Sequence, residues 1–231
     1  MGEMFKSAVV IGASGGIGAA LVEALAGEGV AVRSFARSFA GADRLDLTDE
    51  PSIAAAAASL ATPPDVVLVA TGLLHEGDDG PEKGIAALDP VWLARQYQVN
   101  AIGPVLVAKH FLPAQPRTGR SVFAALSAKV GSIADNRLGG WYGYRASKAA
   151  LNQLIRSAAI EQRRRNERSI VVALHPGTVD TPLSRPFQAN VAADQLFAPG
   201  RAAVQLLDVL DGLRPGDSGR LWNWDSTEIS P

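Results

Sequence analysis

Short apolar runs alternate with longer helical stretches along this chain, and that alternation limits its fold more tightly than any other feature. Ala8 to Ile11, Val30 to Phe35, Asp65 to Ala70, Ser121 to Leu126 and Ile170 to Leu174 read as strands, and Asp65 to Ala70 is continuous in hydrophobicity. Strands of that kind are covered on both faces, as in a parallel sheet lying between helices. Helical spacing fills the intervals Gly15 to Leu25, about Pro51 to Leu60, Pro90 to Phe111 and about Tyr142 to Arg165. Thr181 to Leu210 is expected to be mostly helical after an irregular start. Arg44 to Leu47 is expected to add a short third strand, and Gly219 to Trp224 to close the sheet. About seven alternations predict an α/β fold: one domain over residues 1–231, a doubly wound parallel sheet of about seven strands flanked by helices.

Composition narrows the function classes. With 47% hydrophobic and 19% charged residues, the 231-residue chain reads as a globular enzyme with a sizeable core. A net charge of −1 gives no global field for nucleic acid or an anionic membrane. The run Arg163-Arg164-Arg165 reads as the solvated end of a helix. No stretch of ~18 apolar residues is present, and Met1 to Ser7 carries no secretory signal. With no cysteine, the expectation is a cytoplasmic protein without thiol chemistry. His75, His110 and His175 lack the spacing of a metal cluster, so no metal is expected.

Between the first strand and the first helix lies Gly12-Ala13-Ser14-Gly15-Gly16-Ile17-Gly18. Gly12 permits a tight turn, Gly16 lets the backbone approach a pyrophosphate, and Gly18 permits close helix packing. Amide donors at the start of the helix, from Ser14 through Ile17, favour phosphate. A plain structural turn is the alternative, and the position after the first strand weighs against it.

Tyr144 and Lys148 stand four residues apart in Tyr142-Gly143-Tyr144-Arg145-Ala146-Ser147-Lys148, at the start of a predicted helix. That spacing places both side chains on one face. A free tyrosine has a pKa of about 10, and a nearby ammonium is expected to lower it toward useful proton exchange. Tyr142 is a rival, but its partner four positions on is Ala146.

Together the Gly-x-x-x-Gly-x-Gly turn and the Tyr-x-x-x-Lys pair resemble the short-chain dehydrogenase/reductase family along nearly the whole chain. The resemblance implies a single-domain Rossmann-type sheet and a nicotinamide cofactor. It makes Tyr144 the general acid/base between a carbonyl and an alcohol, with Lys148 tuning Tyr144 and bonding the nicotinamide ribose. Asn100 matches the family asparagine that holds a water in a proton relay; a helix-bending polar residue is its other explanation. The family serine is displaced: Ala128 stands where it is usual, so Ser127 is favoured for the hydroxyl, with Ser132 the competitor. Arg37 follows the second strand, where a cation can pair with a 2′-phosphate, so NADP(H) is preferred and NAD(H) is the alternative. Asp46 and Leu47 match the adenine contact. Ala70, Thr71 and Gly72 stand in the Asn-Asn-Ala-Gly segment, of which only the glycine is kept. Pro176, Gly177, Val179 and Thr181 match the segment that meets the nicotinamide carboxamide and the pyrophosphate.

The stretch from Gly131 to Lys148 is similar to the C-factor-like and sniffer-like carbonyl reductase branch. It implies a small carbonyl or alcohol substrate, a mobile lid over about residues 181–199, and a homodimer or homotetramer built on the long helices. Residues near Leu73, Ile133 and Trp141 and the segment Leu183 to Phe197, with Phe187 and Val191 among its apolar members, are expected to border an at least partly hydrophobic substrate. The chain beyond Thr181 is short for a sugar-nucleotide epimerase. A nucleotide-sensing or cell-signalling protein with little turnover is the alternative function.

Overall fold

A computed structural model describes residues 5–231; the expectation for Met1 to Met4 lies outside the described residues. The apolar runs become β1 (Ser7–Ile11), β2 (Ala31–Phe35), β3 (Val66–Val69), β4 (Ser121–Leu126) and β5 (Ser169–His175), all paired in parallel. β6 (Thr178–Val179) and β7 (Leu196–Phe197) form a separate two-stranded pair. β8 (Leu221–Asn223) extends the main sheet in parallel, and β9 (Glu228–Ile229) ends it antiparallel to β8. The order is β2-β1-β3-β4-β5-β8-β9. β2 and β3 leave β1 on opposite sides, which opens a crevice at the carboxyl ends of the strands.

Among the described residues six α-helices cover the sheet: α1 (Gly16–Gly27), α2 (Glu50–Ala58), α3 (Pro90–Tyr97), α4 (Gly103–Phe111), α5 (Tyr142–Arg163) and α6 (Pro199–Gly212). Successive strand residues face opposite ways, so each strand feeds two cores. Val9, Ile11, Val67 and Phe123 pack with Ile53, Phe111, Leu151 and Ile155. Ala8, Val10, Leu68 and Val122 pack with Leu21, Leu25, Leu206 and Leu210 on the other face.

Four details depart from expectation. Arg44 to Leu47 is no strand; only an isolated bridge joins Ala36 to Arg44. A helical turn at Gly41–Asp43 precedes it, and Asp46 Oδ1 accepts the Thr48 amide at 2.9 Å, turning the chain away. The helix expected from about Thr181 begins only at Pro199; before it come two single 3-10 turns, Arg185–Phe187 and Ala193–Gln195. Pro182 and Pro186 lack amide donors, which disfavours a continuous helix there. The sheet is not wholly parallel, because β9 reverses. Finally, the helix from Pro90 to Phe111 widens into a π turn at Gln98–Ile102, where the Gly103 amide reaches back to the Gln98 carbonyl. Pro104 has no N–H to continue an ordinary ladder, and the wide turn carries Asn100.

Phe111 is fully buried and meets Phe35 edge-on, with ring centroids 6.2 Å apart. Phe111→Ala should therefore lower the unfolding free energy by about 3–5 kcal/mol. Urea denaturation checks this, and a loss under ~1 kcal/mol would place the α4 contact outside the cooperative core.

Candidate active site

Where β1 gives way to α1, Gly12 adopts φ +87. The Gly12 and Ala13 amides both bond the Phe35 carbonyl, at 2.8 and 3.1 Å. A Cβ on Gly18 would stand 2.2 Å from the Gly12 carbonyl oxygen, and one on Gly16 would stand 2.8 Å from Thr181 Cγ2. The turn is thus closed beneath and pressed against the segment that follows β6. Gly15, the N-cap of α1, supplies no side-chain cap, so the first-turn amides lack a local acceptor. Ser14, Gly15, Gly16 and Ile17 line a cavity of about 520 Å³.

The same cavity reaches Tyr144 and Lys148. Both lie on the first turns of α5, 7% and 2% exposed, with Lys148 Nζ 5.8 Å from the centre of the Tyr144 ring. Nζ donates to the Leu126 carbonyl at 2.8 Å. Burial pushes the Tyr144 phenol up to about 12 and the Lys148 ammonium down to about 7. The expected lowering of the tyrosine is not found: both groups lose water to the same walls, and desolvation penalises the charged form of each. At neutral pH the Tyr144 phenol is therefore protonated.

Other expected residues divide into those at the cavity and those behind it. Ala70, Thr71, Gly72, Ser127, Pro176, Gly177, Val179 and Thr181 all line it. The Thr71 Oγ1 is buried and has no hydrogen-bond partner among the described residues. Asn100 is fully buried behind the wall. Its Oδ1 accepts the Leu73 amide at 2.8 Å, and its Nδ2 donates to the Leu73 carbonyl at 2.8 Å and to Ser147 Oγ at 3.1 Å. The side chain therefore ties the loop after β3 to α5. Ser127 donates to Asn152 Oδ1 at 2.7 Å, whereas Ala128 packs beside Tyr144 and Leu74. Ser132 is buried, lies outside the cavity lining, and accepts the Asp135 amide at 3.1 Å.

Arg37, Asp46 and Leu47 also lie outside the cavity lining. Arg37 is exposed at the end of β2 and, among the described residues, shows no hydrogen bond or ion pair. Asp46 is bonded by Thr48, while burial opposes and Arg37 and Arg44 assist its ionisation, leaving its carboxyl below the usual carboxylate range. Leu47 is core and sits where a Cβ on Gly103 would meet it at 2.7 Å.

On the far side of Tyr144 the wall is apolar: Leu74, Ala128, Val130, Trp141, Leu183, Phe187. Leu74, not Leu73, lines the cavity, and Ile133 is 78% exposed. Leu183, Phe187 and Val191, from the segment expected to border the substrate, line the cavity, whereas Val130 carried no sequence signal and emerges only from the folded chain. His175 also lines the cavity, held neutral by burial with its pKa pushed down to about 4.

Comparison with known proteins places this geometry. Residues 6–192 match the family model for short chain dehydrogenase. The chain belongs to the short-chain dehydrogenase family and is an oxidoreductase of that family. It is 34% identical over 155 residues to the C-signal of Myxococcus xanthus, covering 67% of this chain and 88% of that protein. The NADPH-bound carbonyl reductase from chicken fatty liver superposes with a TM-score of 0.83 at 26% identity, covering 100% of this chain and 96% of that one. The carbonyl reductase Sniffer of D. melanogaster shares the fold with a TM-score of 0.80 at 23% identity, covering 98% and 99%. The family membership expected from the glycine turn and the Tyr-x-x-x-Lys pair is borne out. Among the described residues, no helix is long and apolar enough to cross a membrane.

Lys148 supplies a test of the burial. Its folded pKa of about 7 lies below the 10.5 of a free lysine, so the unfolded chain binds the extra proton between those values. Stability should then rise with pH from about 7 to 10, by up to ~1.4 kcal/mol per unit. Lys148→Met should flatten that rise in urea titrations at pH 7 and 9. An unchanged slope would show that the lysine is charged when folded.

Proposed function

We propose that the chain transfers a hydride between NADP(H) and a small carbonyl or alcohol substrate, with Tyr144 as general acid/base. One observation carries this: a buried phenol and a buried amine share one cavity with an uncapped glycine turn. The cavity fits the cofactor on its own terms. Gly16 and Gly18 leave no room for side chains, and the Thr71 hydroxyl offers a buried group without a partner. Residues 14–17 would hold the pyrophosphate and Ala70 to Gly72 the strand-end ribose. Pro176, Gly177, Val179 and Thr181 would hold the carboxamide side. Arg37 would take a 2′-phosphate, with Asp46 and Leu47 near the adenine, and NAD(H) is the lesser partner.

When bound, the nicotinamide supplies or accepts the hydride. In reduction Tyr144 Oη gives its proton to the carbonyl oxygen, and in oxidation it takes one from the alcohol. Lys148, close behind, favours the phenolate left after donation when it carries its proton, the form held at and below about pH 7. Asn100 fixes the backbone at Leu73, one residue after Gly72. The apolar wall around Trp141, Leu183 and Phe187 favours a substrate with a hydrophobic body. Segment 181–199, built of short turns, would act as the lid. Assembly as a homodimer or homotetramer is part of the same proposal, supported by Val91, Ile102 and Ile160, exposed on the helical faces.

A nucleotide-sensing or signalling role with little turnover is the second possibility. The likeness to C-signal favours it, as does Ala128 in place of a hydroxyl beside Tyr144.

With NADPH and a panel of aromatic and aliphatic ketones and aldehydes, Tyr144→Phe should cut turnover by about 10²-fold or more. Its NADPH affinity should stay within a few-fold of wild type. Turnover equally low in both proteins would favour the sensor instead. Arg37→Asp should weaken NADP binding by about tenfold or more while sparing NAD; an unchanged preference removes Arg37 from the cofactor site.

A further inference from the structure

Glu82 is far from Tyr144 in sequence and lies outside the cavity lining, yet it is only 4% exposed. Its Oε2 accepts the Gly143 amide at 3.0 Å, and its Oε1 accepts Gln96 Nε2 at 3.0 Å. Its backbone carbonyl accepts the Trp141 amide at 2.6 Å. These contacts grip the two residues that flank the start of α5. Trp141, the N-cap, sits in the left-handed region at φ 53 and supplies no side-chain cap. The cap comes instead from a carboxylate on another segment, which satisfies an orphan amide and faces the positive end of the helix.

Space around the grip is closed. A Cβ on Gly143 would stand 2.3 Å from Gln96 Nε2 and 2.8 Å from Glu82 Oε1. Gly143 directly precedes Tyr144. The Trp141 ring, held by the same grip, meets the Tyr144 ring edge-on at 6.2 Å and Phe187 at 5.2 Å. The Glu82 side chain therefore anchors the backbone entering Tyr144, while its backbone carbonyl holds Trp141 of the aromatic wall against which the phenol rests.

We infer that Glu82 is a positioning residue for Tyr144, acting through Gly143 and Trp141 with Gln96 as its brace. The inference rests on the proposed oxidoreductase reaction. Glu82 touches no reacting atom; it sets where the phenol stands, and a displacement of about 1 Å can cost 10²-fold in rate.

The test uses the full chain with NADPH and the carbonyl that turns over fastest in the panel, well below each variant's melting point. Glu82→Ala should lower kcat about tenfold or more, while NADPH affinity, read by fluorescence, stays within about twofold. Glu82→Gln should restore kcat to within about threefold of wild type. Its amide oxygen still accepts from Gly143, and its NH₂ can donate to Gln96 Oε1, which has no partner among the described residues. A merely structural cap would not separate kcat from cofactor affinity in this way. If Glu82→Ala does not fold, Gly143→Ala displaces the carboxylate from the helix side and should give the same loss of kcat. Wild-type kcat in the variant that folds, or Glu82→Gln as slow as Glu82→Ala, overturns the inference. Tyr144→Phe in the same series separates the two failures: if it turns over like wild type, the oxidoreductase proposal itself fails.

Discussion

Keeping a phenol and an amine out of water on the first turns of one helix is the constraint from which the rest of this molecule follows. Neither group gains from burial alone, since desolvation drives Tyr144 up and Lys148 down. Their place is held from three directions. Lys148 is tied to the end of β4 through the Leu126 carbonyl, Asn100 joins the loop after β3 to Ser147, and Glu82 grips the start of α5. The parallel sheet brings these strand ends to one edge of the crevice where the glycine turn also opens.

Much of this was legible in the amino-acid sequence, for physical reasons. Doubly buried strands show apolar runs, so β1, β3, β4 and β5 were found to within about a residue of their ends, as was the edge strand β2. Glycine is required where a Cβ would collide, and Gly12, Gly16 and Gly18 announced the turn. The i, i+4 rule put Tyr144 and Lys148 side by side. The remainder depended on tertiary context. Arg44 to Leu47 has strand-like residues but no full partner, because the chain turns at Thr48. The stretch from Thr181 to Ala198 contains helix-compatible residues, yet Pro182 and Pro186 break it into short turns.

Residues defined by what they touch left no pattern to read. Glu82 is an ordinary acidic residue in a loop until the fold carries it to Gly143. Ser127 sits one residue from the usual position, and the strand pleat turns its hydroxyl toward Asn152, leaving Ala128 against Tyr144. Asn100 carried a signal, though its side chain is spent on Leu73 and Ser147. The sign of the Tyr144 shift was also missed, because nearness to an amine was visible in the spacing while burial of both groups was not.

A crystal structure with NADP and a non-reacting carbonyl ligand bound would test the central arrangement most directly. The pyrophosphate should rest against residues 14–17, on the amides of Gly16 and Ile17. The Tyr144 hydroxyl should lie about 2.6–3.2 Å from the carbonyl oxygen, with the nicotinamide beside it. A nucleotide seated away from the glycine turn, or a phenol turned from the ligand, would contradict it.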